Sequence, residues 1–164
     1  MKGAIGNALI LNIVITFIFI FFILLIGSMA YSKAYKTKNY LINMIDQYDG
    51  KREGFNWFVF KGTSQSEKWE KETGEYLLKT GYQINQGGQT CPKKPNYELV
   101  RDNAKGYDYC IYINIDTEAS DNNTTIYERY NYMVLVYMKF DFPLIGNYIK
   151  LPITGETKSY TVLR

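Results

Sequence analysis

The chain has 164 residues, with 19 Lys and Arg against 16 Asp and Glu, no His, and a formal net charge of +3. Without imidazole there is no Ser-His-Asp triad, no His metal site and no His-based acid–base chemistry, and a weak positive balance without a basic run gives no footing for nucleic acid. All 16 Tyr lie at or beyond Tyr31, a Tyr-, Gly- and Asn-rich composition that leans toward an extracellular β-domain.

Residues 1–48 predict one long helix in two halves. Residues 8–26 are apolar except for Asn12 and Thr16, and at about 1.5 Å per residue they cross a hydrocarbon core of roughly 30 Å. In lipid the helix satisfies its own backbone, so β-branched Ile and Val are no obstacle. No Pro occurs before Pro92 and no Gly between Gly27 and Gly50, so the helix continues into an amphipathic half. There Tyr31, Tyr35, Lys38, Leu41, Ile42, Ile45 and Tyr48 recur at three-to-four spacing, and Asp49-Gly50 marks the end. A cleaved signal peptide, with Ser28-Met29-Ala30 as the cut, is the competing reading. The length of the apolar run and the stripe that crosses the cut favour a retained anchor. The chain thus divides into a transmembrane half of the stem (1–30), an amphipathic half (31–48) and a head domain (49–164), of a size for one small domain.

In the head, residues 51–66 hold the aromatic cluster Phe55, Trp57, Phe58 and Phe60, a short strand or a loop on the stem. Ser66 is placed as an N-cap opening a helix of about 14 residues, with Trp69, Tyr76 and Leu77 on one face and Gly81 at C′. From Tyr82 the period becomes two. Residues 82–84 start a strand, 86–95 form a loop, 97–101 are a short strand, and 107–115 alternate most clearly, with Tyr107, Tyr109, Ile111, Ile113 and Ile115 on one face. A polar loop is expected at 117–125 and a long strand at 126–142. Residues 148–153 and 157–163 are expected to form a closing hairpin around Thr154-Gly155-Glu156. The economical architecture is α+β: a stem helix packed on about four antiparallel strands, with one further helix.

Cys91 and Cys110 close a loop of about 18 residues if bonded, worth roughly 3 kcal/mol in the chain-entropy model; two separate buried thiols are the alternative. Asp116, Glu118 and Asp121, with Asn122 and Asn123, gather oxygen ligands of the kind a hard cation takes. Their spacing fits no EF-hand, and a solvated acidic loop is the plainer reading. Neither a paired-carboxylate site nor a phosphate-cradling loop can be assembled, so no catalytic residue, cofactor or metal is assigned. In the apolar run an unpartnered Asn12 amide is costly and invites a neighbouring helix, while Thr16 can bond its own backbone. Lys33, Lys36 and Lys38 beyond the run oppose an outward head by the positive-inside rule. The cysteine pair, the short N-terminal tail and the composition favour it, and the reading taken is head outside.

The helix ITFIFIFFILLIGSMAYSKAYKTKNYLINMIDQYDG and the C-terminal block YNYMVLVYMKFDFPLIGNYIKLPITGETKSYTV, about half the chain, resemble type IV pilin-like proteins, more narrowly the TadE-like minor pilins of tight-adherence systems. The resemblance implies a non-enzymatic pseudopilin-type subunit, held in the cytoplasmic membrane by a single pass, whose stem assembles into or primes a surface filament. Its partners would be the membrane, other pilin-like subunits, the assembly machinery and copies of itself. The implied assembly surface comprises Asn12, Thr16, Phe19, Phe22, Tyr31, Tyr35, Lys38, Leu41, Ile42 and Ile45. The family's Glu near the start of the apolar helix is absent, with Asn7 in its neighbourhood, which fits an uncleaved accessory subunit better than a major pilin. A single-pass surface domain that binds a partner without polymerising is the alternative.

Overall fold

The computed structural model describes residues 2–49, 64–82, 91–102, 109–119, 126–139 and 150–163. Two helices and five strands follow in order: α1 (Lys2–Asp49), α2 (Ser64–Lys79), β1 (Glu98–Asp102), β2 (Tyr109–Ala119), β3 (Ile126–Lys139), β4 (Lys150–Glu156) and β5 (Tyr160–Leu163). This is the expected α+β arrangement of a long stem helix, a second helix and a small antiparallel sheet. The aromatic cluster at 55–60, the start of a strand at 83–84 and most of the 86–95 loop lie outside the described residues, while Tyr82 itself is not in a strand.

Helix α1 runs unbroken for 48 residues, about 70 Å at 1.5 Å per residue. Helix α2 starts two residues before the predicted cap, at Ser64, with Glu67 in its first turn and Lys79 in its last, both favourable to the helix dipole. It ends as predicted at Gly81, whose φ of 65° is the left-handed conformation a C′ residue adopts. Gly81 N donates to Leu78 O at 3.1 Å and Tyr82 N to Leu77 O at 2.9 Å, the two bonds of a Schellman motif.

The strands are ordered β1-β2-β3-β4, all antiparallel, and β5 also pairs with β3. The closing hairpin is therefore corrected: β4 and β5 do not pair with each other but follow one another along the same edge of β3. Lys150 to Glu156 lie opposite Lys139 to Met133, and Tyr160 to Leu163 opposite Tyr130 to Tyr127. Between them residues 157–159 face only Asn131 and Tyr132, so the outer lane carries one extra residue, a bulge. Thr157 repairs the ladder there: its N–H donates to Tyr132 O at 2.9 Å, and its Oγ1 accepts from Tyr132 N at 3.0 Å. Because backbone groups alternate sides along β3, Tyr137 points its N–H and C=O away from β4, and the proline opposite, Pro152, sits where its missing donor would face outward, as edge prolines do.

One face of the sheet meets both helices. Tyr130, Tyr132, Val134, Val136 and Met138 of β3 and Tyr109, Ile111 and Ile113 of β2 bury against Ala34, Leu41, Met44 and Ile45 of α1 and Trp69 and Leu77 of α2. The predicted alternation of Tyr109, Ile111 and Ile113 is this face. The other face, Cys110, Tyr112, Met133, Leu135 and Tyr137, is also buried, beneath Cys91 and Tyr97. A Cys91–Cys110 disulfide ties that cover down. Lys94 to Tyr97 form a type II turn, with Pro95 second and Asn96, at φ 62°, third.

Candidate functional site

The stem carries the features that bear on function. From Leu9 to Leu25 every large apolar side chain is exposed, and one helix among the described residues is long and apolar enough to cross a membrane, within Ala8–Gln47. Thr16 Oγ1 donates to Asn12 O at 2.8 Å, so the Thr hydroxyl is satisfied inside the helix. Asn12, Thr16, Phe19 and Phe22 all stand on open helix surface, with Phe19 61% and Phe22 54% exposed.

Beyond Ile26 the helix enters the head. Ala30 is the first α1 residue packed against the core, and the face turned to the sheet is Ala34, Thr37, Leu41, Met44 and Ile45. This face is rotated from the stripe expected on sequence. Leu41 and Ile45 are fully buried and Ile42 and Lys38 half-buried, but Tyr31 and Tyr35 remain exposed and stack on each other at 6.0 Å. Ala34, Thr37 and Met44 were missed because a small residue, a hydroxyl and a thioether do not mark an apolar period, although their spacing from Leu41 does. Leu41 and Ile45 therefore serve the chain's own core and are not open to a neighbouring stem.

Three contacts lock α1 to the head. Lys38 and Ile42 lie on Gly155 of β4, where an added Cβ would sit 2.7 Å from Lys38 Cδ and 2.9 Å from Ile42 Cδ1. The Lys38 ammonium then reaches over the Tyr35 ring, 4.2 Å from its centroid, a cation–π contact. The Tyr160 hydroxyl donates to the Asp46 carboxylate, and Tyr40 stacks on Tyr76 of α2 at 3.5 Å with rings 5° from parallel. Burial, and then the nearby Glu72 carboxylate, hold the Tyr40 phenol above its ordinary pKa. At the end of α2 the buried Tyr82 hydroxyl donates to Tyr137 O at 3.2 Å and accepts from Tyr137 N at 3.1 Å, occupying β3 just past the first residue of β2.

On the other face Tyr97 Oη donates to Glu156 Oε1 at 3.0 Å, and Asn131 Nδ2 to Glu156 Oε2 at 3.4 Å. Burial, with Glu156 and Asp116 adding and Asn131 opposing, raises the Tyr97 pKa. The Tyr112 hydroxyl donates to Pro92 O at 2.6 Å, and burial, with Tyr137 adding, pushes its pKa up to about 12.

The acidic cluster is not gathered in one loop as expected. Asp116 and Glu118 belong to β2, paired in register with Arg129 and Tyr127, and Asp121 lies outside the described residues. Among the described residues no group of three His, Cys, Asp or Glu is placed to hold a metal ion. The chain matches no protein-family model, and neither the curated proteins nor the solved structures compared with it offer a match.

Proposed function

We propose that the chain is a membrane-anchored, pilin-like accessory subunit whose head stands outside the cytoplasmic membrane and whose stem associates with other stems to build or prime a surface filament. The observation that carries this reading is the single helix α1, bare and apolar in its first half and built into the head's core in its second. Such a helix transmits the position of a membrane segment rigidly to the head, as a subunit stored in a bilayer and packed beside others requires. The Cys91–Cys110 bond supports an outside head, because disulfides persist in oxidising compartments. The burial of Leu41 and Ile45 favours a second reading, a surface domain that binds a partner without polymerising, since it removes two expected assembly positions.

The two readings separate within the apolar half. A photo-reactive amino acid placed at Phe19 or Phe22 of the full chain in its own membrane should yield covalent adducts between stems. Adducts to lipid alone would discard the filament reading in favour of the binding domain.

A further inference from the structure

We infer that the head is seated directly on the bilayer, and that Tyr31, Lys33, Tyr35 and Lys36 of α1, with Leu151 of β4, form a collar for anionic lipid headgroups. This rests on the proposal that residues 8–26 cross the membrane.

The first argument is distance. The apolar run ends at Ile26, yet Ile26 and Gly27 are already half-buried and Ala30 is packed against the core. Four residues of helix span about 6 Å, and the headgroup layer on each side of a roughly 30 Å hydrocarbon core is about 5–8 Å thick. No stalk separates the domain from the membrane. Its lower rim lies at headgroup depth.

The second argument is what stands at and just above that depth, with Tyr31 about 8 Å and Lys33 to Lys36 about 10–15 Å along the helix from Ile26. At 3.6 residues per turn, Lys33 and Lys36 fall on one flank of the sheet-facing stripe and Tyr31 and Tyr35 on the other. All four side chains are exposed. Among the described residues no carboxylate pairs with Lys33 or Lys36, and α1 carries no acid before Asp46. Lys38 differs, being held over Tyr35 with its stem on Gly155. Tyrosine rings prefer the membrane–water boundary, and lysines reach back to headgroups from just beyond it.

The third argument is the direction of β4. Gly155 lies at the level of Lys38 and Ile42, and Tyr160 at the level of Asp46, so the outer lane climbs away from the span in the same sense as α1. Four residues back from Gly155, about 13 Å of strand, Leu151 falls toward the level of Tyr31. Its side chain is 48% exposed on a sheet edge. An apolar side chain at that height, about 8 Å along the helix from Ile26, meets the outer headgroup layer rather than open water.

The test uses the full chain in vesicles with trace spin-labelled phosphatidylglycerol or phosphatidylcholine, comparing the motionally restricted fraction of each. The expected result is a roughly five-fold preference for phosphatidylglycerol at low salt, the factor carried by about one lysine near an anionic surface, falling as salt screens it. Lys33→Gln with Lys36→Gln should bring the ratio close to one, whereas Lys68→Gln with Lys71→Gln on exposed α2 should leave it unchanged. An equal restricted fraction for both lipids, or a preference indifferent to Lys33 and Lys36, overturns the collar while leaving the span intact. No restricted lipid of either kind overturns the span and the collar together. The seat has its own readout, relaxation enhancement from a gadolinium-chelating lipid, which should be stronger at the Leu151 amide than at the Tyr160 amide. Equal enhancement at both overturns it independently of lipid charge.

Discussion

At Thr157 the ladder between β3 and its outer neighbour is one backbone acceptor short, and a side-chain hydroxyl supplies it. Thr157 is 8% exposed, so Thr157→Val would leave the Tyr132 N–H buried without its acceptor. The expected cost is about 1–3 kcal/mol, the penalty for an orphaned buried donor, with Thr157→Ser close to neutral, as read by guanidinium unfolding of the full chain in detergent. Tyr112 sets a different dependence. An unfolded Tyr ionises near pH 10, whereas the folded side chain holds its proton until about 12. The folded state thus binds the proton more tightly, and this contribution is complete below pH 10 and lost as pH rises from 10 to 12. At neutral pH Tyr112→Phe loses the bond to Pro92 O and about 1 kcal/mol. The gap between wild type and Tyr112→Phe should then shrink through that window, and a gap independent of pH would contradict the assignment.

Among the elements, the contact of α1 with β4 shows why a motif can mislead. Thr154-Gly155-Glu156 has the composition of a turn, and the sequence alone puts Gly155 in one. The structure uses the glycine for closeness instead: without a Cβ the strand comes up to Lys38 and Ile42. Gly155→Ala should destabilise by about 1–3 kcal/mol, as overpacking does. Because Lys38 Cδ is the nearer atom, Lys38→Ala should recover part of that loss, giving a coupling above about 0.5 kcal/mol in a double-mutant cycle. Additive effects would mean that the helix and strand do not press on each other there. By contrast the end of α2 was legible to the residue and its start, at Ser64 rather than after a Ser66 cap, nearly so, because its signals are local: an acidic first turn, Lys79 near the end and a glycine at C′. The strand β2 was legible on one face through its period of two. Its reach into Thr117–Ala119 was not, since polar strand residues at the far end of a sheet look like loop.

Over the whole molecule, the long N-terminal helix and the antiparallel sheet that follows it could be read from hydropathy and the change of period. Burial of the sheet on both faces could not. The second cover is an irregular segment around Cys91 and Tyr97, which has no periodic pattern and is held by a disulfide and a type II turn rather than by an apolar stripe. The sheet-facing side of the stem was only partly legible for a related reason: helix periodicity identifies a stripe, but the strands that pack on it decide how far round that stripe is turned.

The union of the first helix with the last strands also fixes an order in time. Tyr160 meets Asp46 across 114 residues of sequence, and Gly155 meets Lys38 and Ile42 at a similar remove. At a synthesis rate of about 5–20 residues per second, the stem emerges roughly 6–23 s before the strands that cover it. Leu41, Met44 and Ile45 spend that interval as a bare apolar stripe, and the sheet cannot close on the stem until the chain has been made as far as Tyr160.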